Sequence, residues 1–356
     1  MIAVFRVDAS VESGMGHLIR CTALAKELVH RNVKIFFYSR ILSDGAKKNL
    51  DTNGFEYFLS RPFGLEPSGS VNFQDKDADL FIDWAKETFK AAKIDFLIVD
   101  NYTLDSVWET RVKELARILL VIDDLANRAH VGTILLDAAP PNQQDPYAHL
   151  IPRDMKRMYG PSFALLRNEF ISPSIQNVRH HISRILICFG GTDPTRTTTA
   201  AFQAISQWIR VSEVEVFIVL GDLSSQPEVL NLAKDKTNVS LYENCTAAMM
   251  AKLCREADLS IGAGGTMAWE RCAQGLPTIV TAIAENQIGI AKQLHYLKCI
   301  EFLGYHTEVH DFMIIEALNH FFENPNNLSE MSRRCFEMTT GNGAALVSDT
   351  LFNQAI

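Results

Sequence analysis

The sequence holds no apolar run approaching the ~20 residues that a membrane-crossing helix needs, so no membrane partner is expected. Met1 to Ser10 sets Arg6 and Asp8 inside its apolar stretch, which argues against a secretory leader. The seven cysteines form no Cys-x-x-Cys pair and no His/Cys cluster at zinc spacing. An odd set of reduced thiols suits a cytoplasmic protein, and that localisation is the expectation. There is no basic stripe, and the net charge of −8 is spread over many segments rather than gathered in a tail. Nucleic acid is therefore not an expected partner. An anionic ligand would have to be held mostly by oriented backbone amides and a few basic side chains.

What remains is an ordinary globular composition, 47% hydrophobic and 21% charged, in a chain of 356 residues, long enough for two domains with separate cores. Short β-rich runs alternate with helical patterns. Ile2 to Val7, Val33 to Tyr38, Ile94 to Val99, Ile118 to Ile122 and Thr133 to Leu136 read as strands. They are continuous apolar runs, as expected for a parallel sheet covered on both faces. A second series starts at Arg184 to Phe189 and continues through Val214 to Leu220, Val239 to Tyr242, Leu259 to Ile261 and Thr278 to Val280. The expected fold class is α/β, two Rossmann-like doubly wound domains facing a cleft, in the manner of GT-B glycosyltransferases. The expected division is 1–171, a linker at 172–183, 184–345, and a C-terminal helix over 346–356 that packs back on the first domain. Residues 61–79, rich in proline, glycine and charge, read as a surface insertion or mobile loop.

The C-terminal half carries the most informative run. Gly262-Ala263-Gly264-Gly265-Thr266 opens a helix, Gly275-Leu276-Pro277 leads a strand, and Ala284-Glu285-Asn286-Gln287 follows as a polar loop. Amides bared at the glycines and at the helix start suit a diphosphate. Glu270 lies one helical turn past Thr266, within reach of ribose hydroxyls, and Asn286 and Gln287 would face a sugar. An ordinary strand–turn–helix has much the same look, but the ordered succession of three elements favours a nucleotide-sugar site.

In the N-terminal half, Gly14-Met15-Gly16-His17 follows the first strand and opens the first helix. Ligands bind at the carboxyl ends of parallel strands, and the helix dipole favours a neutral imidazole able to accept a proton. His17 is thus a candidate general base, against the alternative that it merely caps the turn. A dinucleotide fingerprint fails at its third glycine, where Ile19 stands, and Ser39 and Arg40 end the second strand without an acid for a ribose. That speaks against NAD and leaves only Arg40 as a hint of NADP. Tyr102, after the strand that ends Val99-Asp100, is placed to touch a sugar. The pair Asp123-Asp124 ends the next strand, where capping of the following turn competes with metal binding. Arg167, near the hinge, is either a substrate contact or an interdomain ion pair.

These stretches, together with Arg6 to Ser10, Ile122 to His130, Ala164 to Phe170 and Phe189-Gly190-Gly191-Thr192-Asp193-Pro194, resemble the UDP-sugar hydrolases of pseudaminic acid biosynthesis. The resemblance covers the chain from residue 1 to about 300 and lies in the order of the motifs. It implies a GT-B-like enzyme related to the glycosyltransferase of lipid II synthesis, with water as acceptor and UDP-2,4-diacetamido-2,4,6-trideoxy-β-L-altropyranose as substrate. The free sugar would serve flagellin glycosylation or a surface polysaccharide. His17 matches the catalytic histidine, and Tyr102, Arg167 and Asn286 match substrate-binding positions. Gly14, Met15, Gly16 and Gln287 are placed with these, and Gly191, Gly264, Gly265, Thr266 and Glu270 with UDP. Asn101, Gly132-Thr133 and residues 61–79 depart from the pattern. No cofactor and no metal is expected. The sequence does not determine the oligomeric state, and a monomer is the expectation. Rival readings are a glycosyltransferase, which would need a sugar or lipid acceptor, and a non-catalytic nucleotide-sugar sensor, which would leave its ligand intact.

Overall fold

The computed structural model describes residues 1–10, 14–63, 67–90, 92–140, 144–171, 177–191 and 193–355. The chain divides into two compact units, Met1–Leu165 with Asn342–Ile356, and Leu166–Gly341. In the first unit, strands β1 (Ile2–Val7), β2 (Lys34–Ser39), β3 (Glu56–Leu59), β4 (Ile94–Asp100), β5 (Ala116–Ile122), β6 (Ile134–Asp137) and β7 (Lys156–Tyr159) form one parallel sheet. Their order is β3-β2-β1-β4-β5-β6-β7. Side chains alternate across a strand, and β1 shows the result. Ala3, Phe5 and Val7 join one core with Leu18, Leu24 and Leu28 of helix Gly16–Val29, whereas Val4 joins the other with Phe81 and Trp108. Both faces are buried, which is why the central strands read as unbroken apolar runs.

The second unit repeats the scheme with six parallel strands, β8 (Arg184–Cys188), β9 (Glu215–Leu220), β10 (Val239–Glu243), β11 (Leu259–Gly262), β12 (Thr278–Ala282) and β13 (Glu301–Tyr305), in the order β10-β9-β8-β11-β12-β13. Chain direction through each sheet reverses beside its first strand, between β1 and β4 and between β8 and β11. Such switch points leave a crevice at the strands' carboxyl ends. The three strands absent from the sequence reading, β3, β7 and β13, all lie at sheet edges, where one side stays uncovered. Their residues are largely exposed or half-buried, so no apolar run announces them.

Two boundaries differ from the sequence expectation. Within 61–79, residues 64–66 lie outside the described set, but Val71–Phe89 is a helix, its start capped by Ser70, whose Oγ accepts from the Phe73 amide at 3.2 Å. Its stripe of Phe73, Ala78, Phe81 and Trp84 is core, not insertion. The expected linker, of which 172–176 are not described, ends in a segment built into the second unit. There the buried Arg179 donates to the carbonyls of Ala257, Gln274 and Cys254. Residues 166–171 also belong with the second unit, where Gln274 Nε2 donates to the Phe170 carbonyl at 2.7 Å. The last helix runs Gly343–Ala355, and Ala344, Val347 and Leu351 sit in the first unit's core beside the residues of Gly16–Val29.

The first unit also contains an ion network around a fully buried Arg6–Asp77 pair. Arg6 donates to both oxygens of Asp77, at 3.1 and 2.8 Å, and pairs with Asp8 at 2.9 Å. Trp108 Nε1 donates to Asp77 at 2.8 Å, and Asp8 accepts from the Arg40 amide and from Asn101 Nδ2. The network ties the ends of β1, β2 and β4 to helix Val71–Phe89. Among the described residues no helix is long and apolar enough to cross a membrane.

Candidate active site

In the first unit the expected residues gather at the switch point. Gly14 has φ +73, a conformation that glycine adopts without strain, and it turns the chain from β1 into helix Gly16–Val29. Met15 is the residue before the helix and Gly16 its first, which puts His17 in the first turn. Its Nδ1 lies 2.6 Å from Asp100 Oδ1, at the end of β4. Register explains the contact: Val7 pairs with Asp100, so the chain leaving β1 starts its helix beside that carboxylate. Nδ1 bonded to a carboxylate is the nitrogen that carries the proton, which makes Nε2 the acceptor. No hydrogen bond engages Nε2 among the described residues.

Arg20, three residues on and hence on the same helix face, donates to both oxygens of Asp100, each at 2.6 Å, and to Asp124 Oδ2 at 2.8 Å. Burial alone would raise the Asp100 carboxyl, but Arg20 and His17 against it hold it well below the usual carboxylate range. Asp100 is thus a buried, permanently negative anchor for the imidazole. Asp124 is also held low: its burial is outweighed by Arg20, His17 and the Tyr102 hydroxyl. The Tyr102 hydroxyl donates a hydrogen bond to Asp124 at 2.6 Å, and its ring lies edge-on to His17, centroids 4.5 Å apart.

The two acids ending β5 therefore do different things. Asp123 accepts from the Leu125 and Ala126 amides and the Tyr147 hydroxyl, as a capping acid does, and forms an ion pair with Arg128. Asp124 belongs to the histidine cluster. Neither role was separable in sequence, and Asp100 and Arg20 had no assigned role at all. The only sequence signal for them was an acid at a strand end next to the switch point, with a basic residue three positions past the histidine.

Close by, Asp137 ends β6 and accepts from the Ala139 amide and from Tyr147. Burial pushes its carboxyl up to about 7, against the Ala139 amide and aided by the charge of Asp124. The folded protein then keeps this proton where the unfolded chain has lost it, so stability falls as pH rises from about 4 to about 7. Asp137→Asn presents the same acceptor and a fixed donor. We expect it to exceed the wild type in stability above pH 7 by on the order of 3 kcal/mol, with the difference shrinking toward pH 4.5. Urea denaturation at pH 5 and pH 8 measures it; an equal difference at both would contradict the assignment.

In the second unit, helix Thr266–Ala273 starts directly after the glycine turn that ends β11, next to the switch with β8. The Gly264 amide already donates to Gln287 Oε1 at 3.3 Å, and that oxygen also accepts from Ile283 at 3.1 Å. Gln287 thus braces the turn. The amides of Gly265 and Thr266, at the helix start, have no intrahelical acceptor. Glu270 is buried and receives Arg167 at both oxygens, 2.6 and 2.7 Å, while the Arg167 guanidinium stacks on Phe170. Arg167, read from sequence as a substrate contact or an interdomain ion pair, and Glu270, read as a ribose contact, form one bidentate pair within this unit. Asn286 opens helix Asn286–Tyr296. Gly191, past the end of β8, is exposed, and Thr192 lies outside the described residues. Among the described residues no group of His, Cys, Asp or Glu is placed to hold a metal.

Residues 185–347 match the glycosyltransferase family 28 C-terminal domain. The chain is 26% identical to an uncharacterized protein of Methanocaldococcus jannaschii over 375 residues, covering 96% of this chain and 70% of the relative. It is also 26% identical over 264 residues to the UDP-2,4-diacetamido-2,4,6-trideoxy-beta-L-altropyranose hydrolase of Campylobacter jejuni, covering 72% of this chain and 83% of that one. The crystal structure of Acinetobacter baumannii MurG superposes with a TM-score of 0.69 at 15% identity, over 99% of both chains. The protein thus has a GT-B-like fold of two Rossmann-like units, and the match to the glycosyltransferase family 28 C-terminal domain falls on residues 185–347.

Proposed function

We propose that this protein hydrolyses UDP-2,4-diacetamido-2,4,6-trideoxy-β-L-altropyranose to the free sugar and UDP. The observation that carries the reading is the 2.6 Å contact between His17 Nδ1 and the buried Asp100, which orients the ring and leaves Nε2 to accept a proton. The relative from Campylobacter jejuni supports the substrate, and the family 28 match supports a nucleotide-sugar site in the second unit. In the reaction, a water oxygen bonds to C1 of the sugar as its proton passes to His17 Nε2. The bond between C1 and the diphosphate oxygen breaks, UDP departs with that electron pair, and the configuration at C1 inverts. Asp100 stabilises the imidazolium that forms, as the acid of a catalytic triad does. Within the second unit, the amides of Gly265 and Thr266 suit the charge growing on the leaving phosphate, and the Arg167–Glu270 pair is the proposed contact for the nucleotide's ribose.

A glycosyltransferase with the same nucleotide site is the second reading, favoured by the family 28 match itself. A proton NMR time course separates the two, using the pure protein and the UDP-sugar with neither acceptor nor added metal. Free sugar and UDP, with the first-formed anomer inverted, is the expected result. An unchanged spectrum from protein that binds UDP would establish a need for an acceptor.

A further inference from the structure

Helix Thr266–Ala273 carries an arginine that the proposed reaction does not use. Arg271 is 1% exposed, and its Nη2 donates to the Ala263 carbonyl inside the glycine turn. Its Nε and Nη1 have no hydrogen-bond partner among the described residues. No carboxylate there pairs with it: its neighbour Glu270 gives both oxygens to Arg167. The nearby thiols bring no negative charge, since burial raises Cys188 and pushes Cys254 up to about 12. A guanidinium does not shed its proton in a protein. Arg271 is therefore a buried cation without a counter-ion, an arrangement that is costly unless something balances it.

Its position relative to the turn is set by Gly262. A Cβ there would stand 2.5 Å from Arg271 Nη1 and 2.4 Å from the Cys188 carbonyl, so only glycine lets the guanidinium lie against this backbone. On the same turn stand the amides of Gly265 and Thr266. Two independent features thus favour negative charge at one place: helix-start amides without an intrahelical acceptor and, behind them, a buried cation with no ion-pair partner among the described residues.

We propose that Arg271 is the buried counter-charge for the diphosphate of the ligand, setting its affinity from behind the turn without touching it. The inference rests on the nucleotide site proposed above. A charge acting through a thin layer of protein is little screened compared with one acting through water. Arg271 is then a positioning residue that discriminates by ligand charge: it strengthens binding of a nucleoside diphosphate and leaves the bare nucleoside unaffected.

Calorimetric titration of the full chain with UDP and with uridine tests this in the wild type, Arg271→Met and Arg271→Lys. Methionine fills the space without charge, and lysine keeps the charge but not the planar fork. We expect the methionine variant to lose about tenfold or more in UDP affinity, with uridine affinity unchanged, and the lysine variant to keep most of the preference for UDP. A methionine variant with the wild-type UDP-to-uridine ratio would overturn the inference. So would a lysine variant that loses the preference, and this arm stands alone if the methionine variant does not fold. A wild type that binds neither ligand overturns the nucleotide site itself, whereas wild-type UDP binding with an unmoved ratio in the variants overturns only the role of Arg271.

Discussion

Replacing His17 with alanine is expected to lower UDP-sugar turnover by ~10²–10⁴-fold, the usual worth of a positioned general base, while UDP still binds. The side chain is in the first turn of its helix and touches Asp100 and Tyr102 rather than the core, so its loss removes a base without opening a cavity. Asp100→Asn should fall in the same range for a related reason. The asparagine still accepts from Nδ1, but the negative charge that stabilises the imidazolium is gone, and Arg20 is left with Asp124 alone. Single-turnover rates, with UDP affinity measured separately, check both. Near-normal turnover by the alanine variant would remove His17 as the base, and a large loss of UDP affinity would move its role from chemistry to binding.

The largest effect on stability is expected at Asp77. Asp77→Ala should destabilise the protein by about 3–5 kcal/mol, because it breaks a buried ion pair and leaves its partner charged. Arg6 would keep only Asp8, and Trp108 Nε1 would lose its acceptor inside the core. Asp77→Asn should cost less, since an amide oxygen at the Oδ1 position still accepts from Arg6 Nε and Trp108 Nε1. Urea denaturation of both variants measures the difference. A loss below about 1 kcal/mol for the alanine variant would mean that Asp8 balances Arg6 by itself, which its additional bonds to the Arg40 amide and Asn101 make hard to achieve.

The two predictions fall on residues that differ in how well the sequence exposed them. His17 stands in a glycine turn behind an apolar strand, a local pattern that a sequence shows directly. Asp77 sits in a stretch that reads as insertion, because Pro62, Gly64, Pro67 and Gly69 precede it and Asp75, Lys76 and Asp79 flank it. Only the packing of Phe73, Ala78, Phe81 and Trp84 into the sheet shows that the segment is core and that its acid faces Arg6.

By itself the sequence determined the two parallel sheets, the glycine turns at their carboxyl ends and the histidine at the first of them. All of these depend on neighbours within a few residues: an apolar run, a turn residue, a helix start. Tertiary structure alone decided which acid serves which base. His17 and Asp100 are 83 residues apart, and they meet because β1 and β4 are neighbours in register. Arg167 and Glu270, 103 residues apart, meet because the segment after Leu166 packs with the second unit. A strand-end aspartate or a helical glutamate carries no mark of its partner. That partner is chosen by strand order, and strand order follows from the summed burial of both sheet faces rather than from any local run of residues.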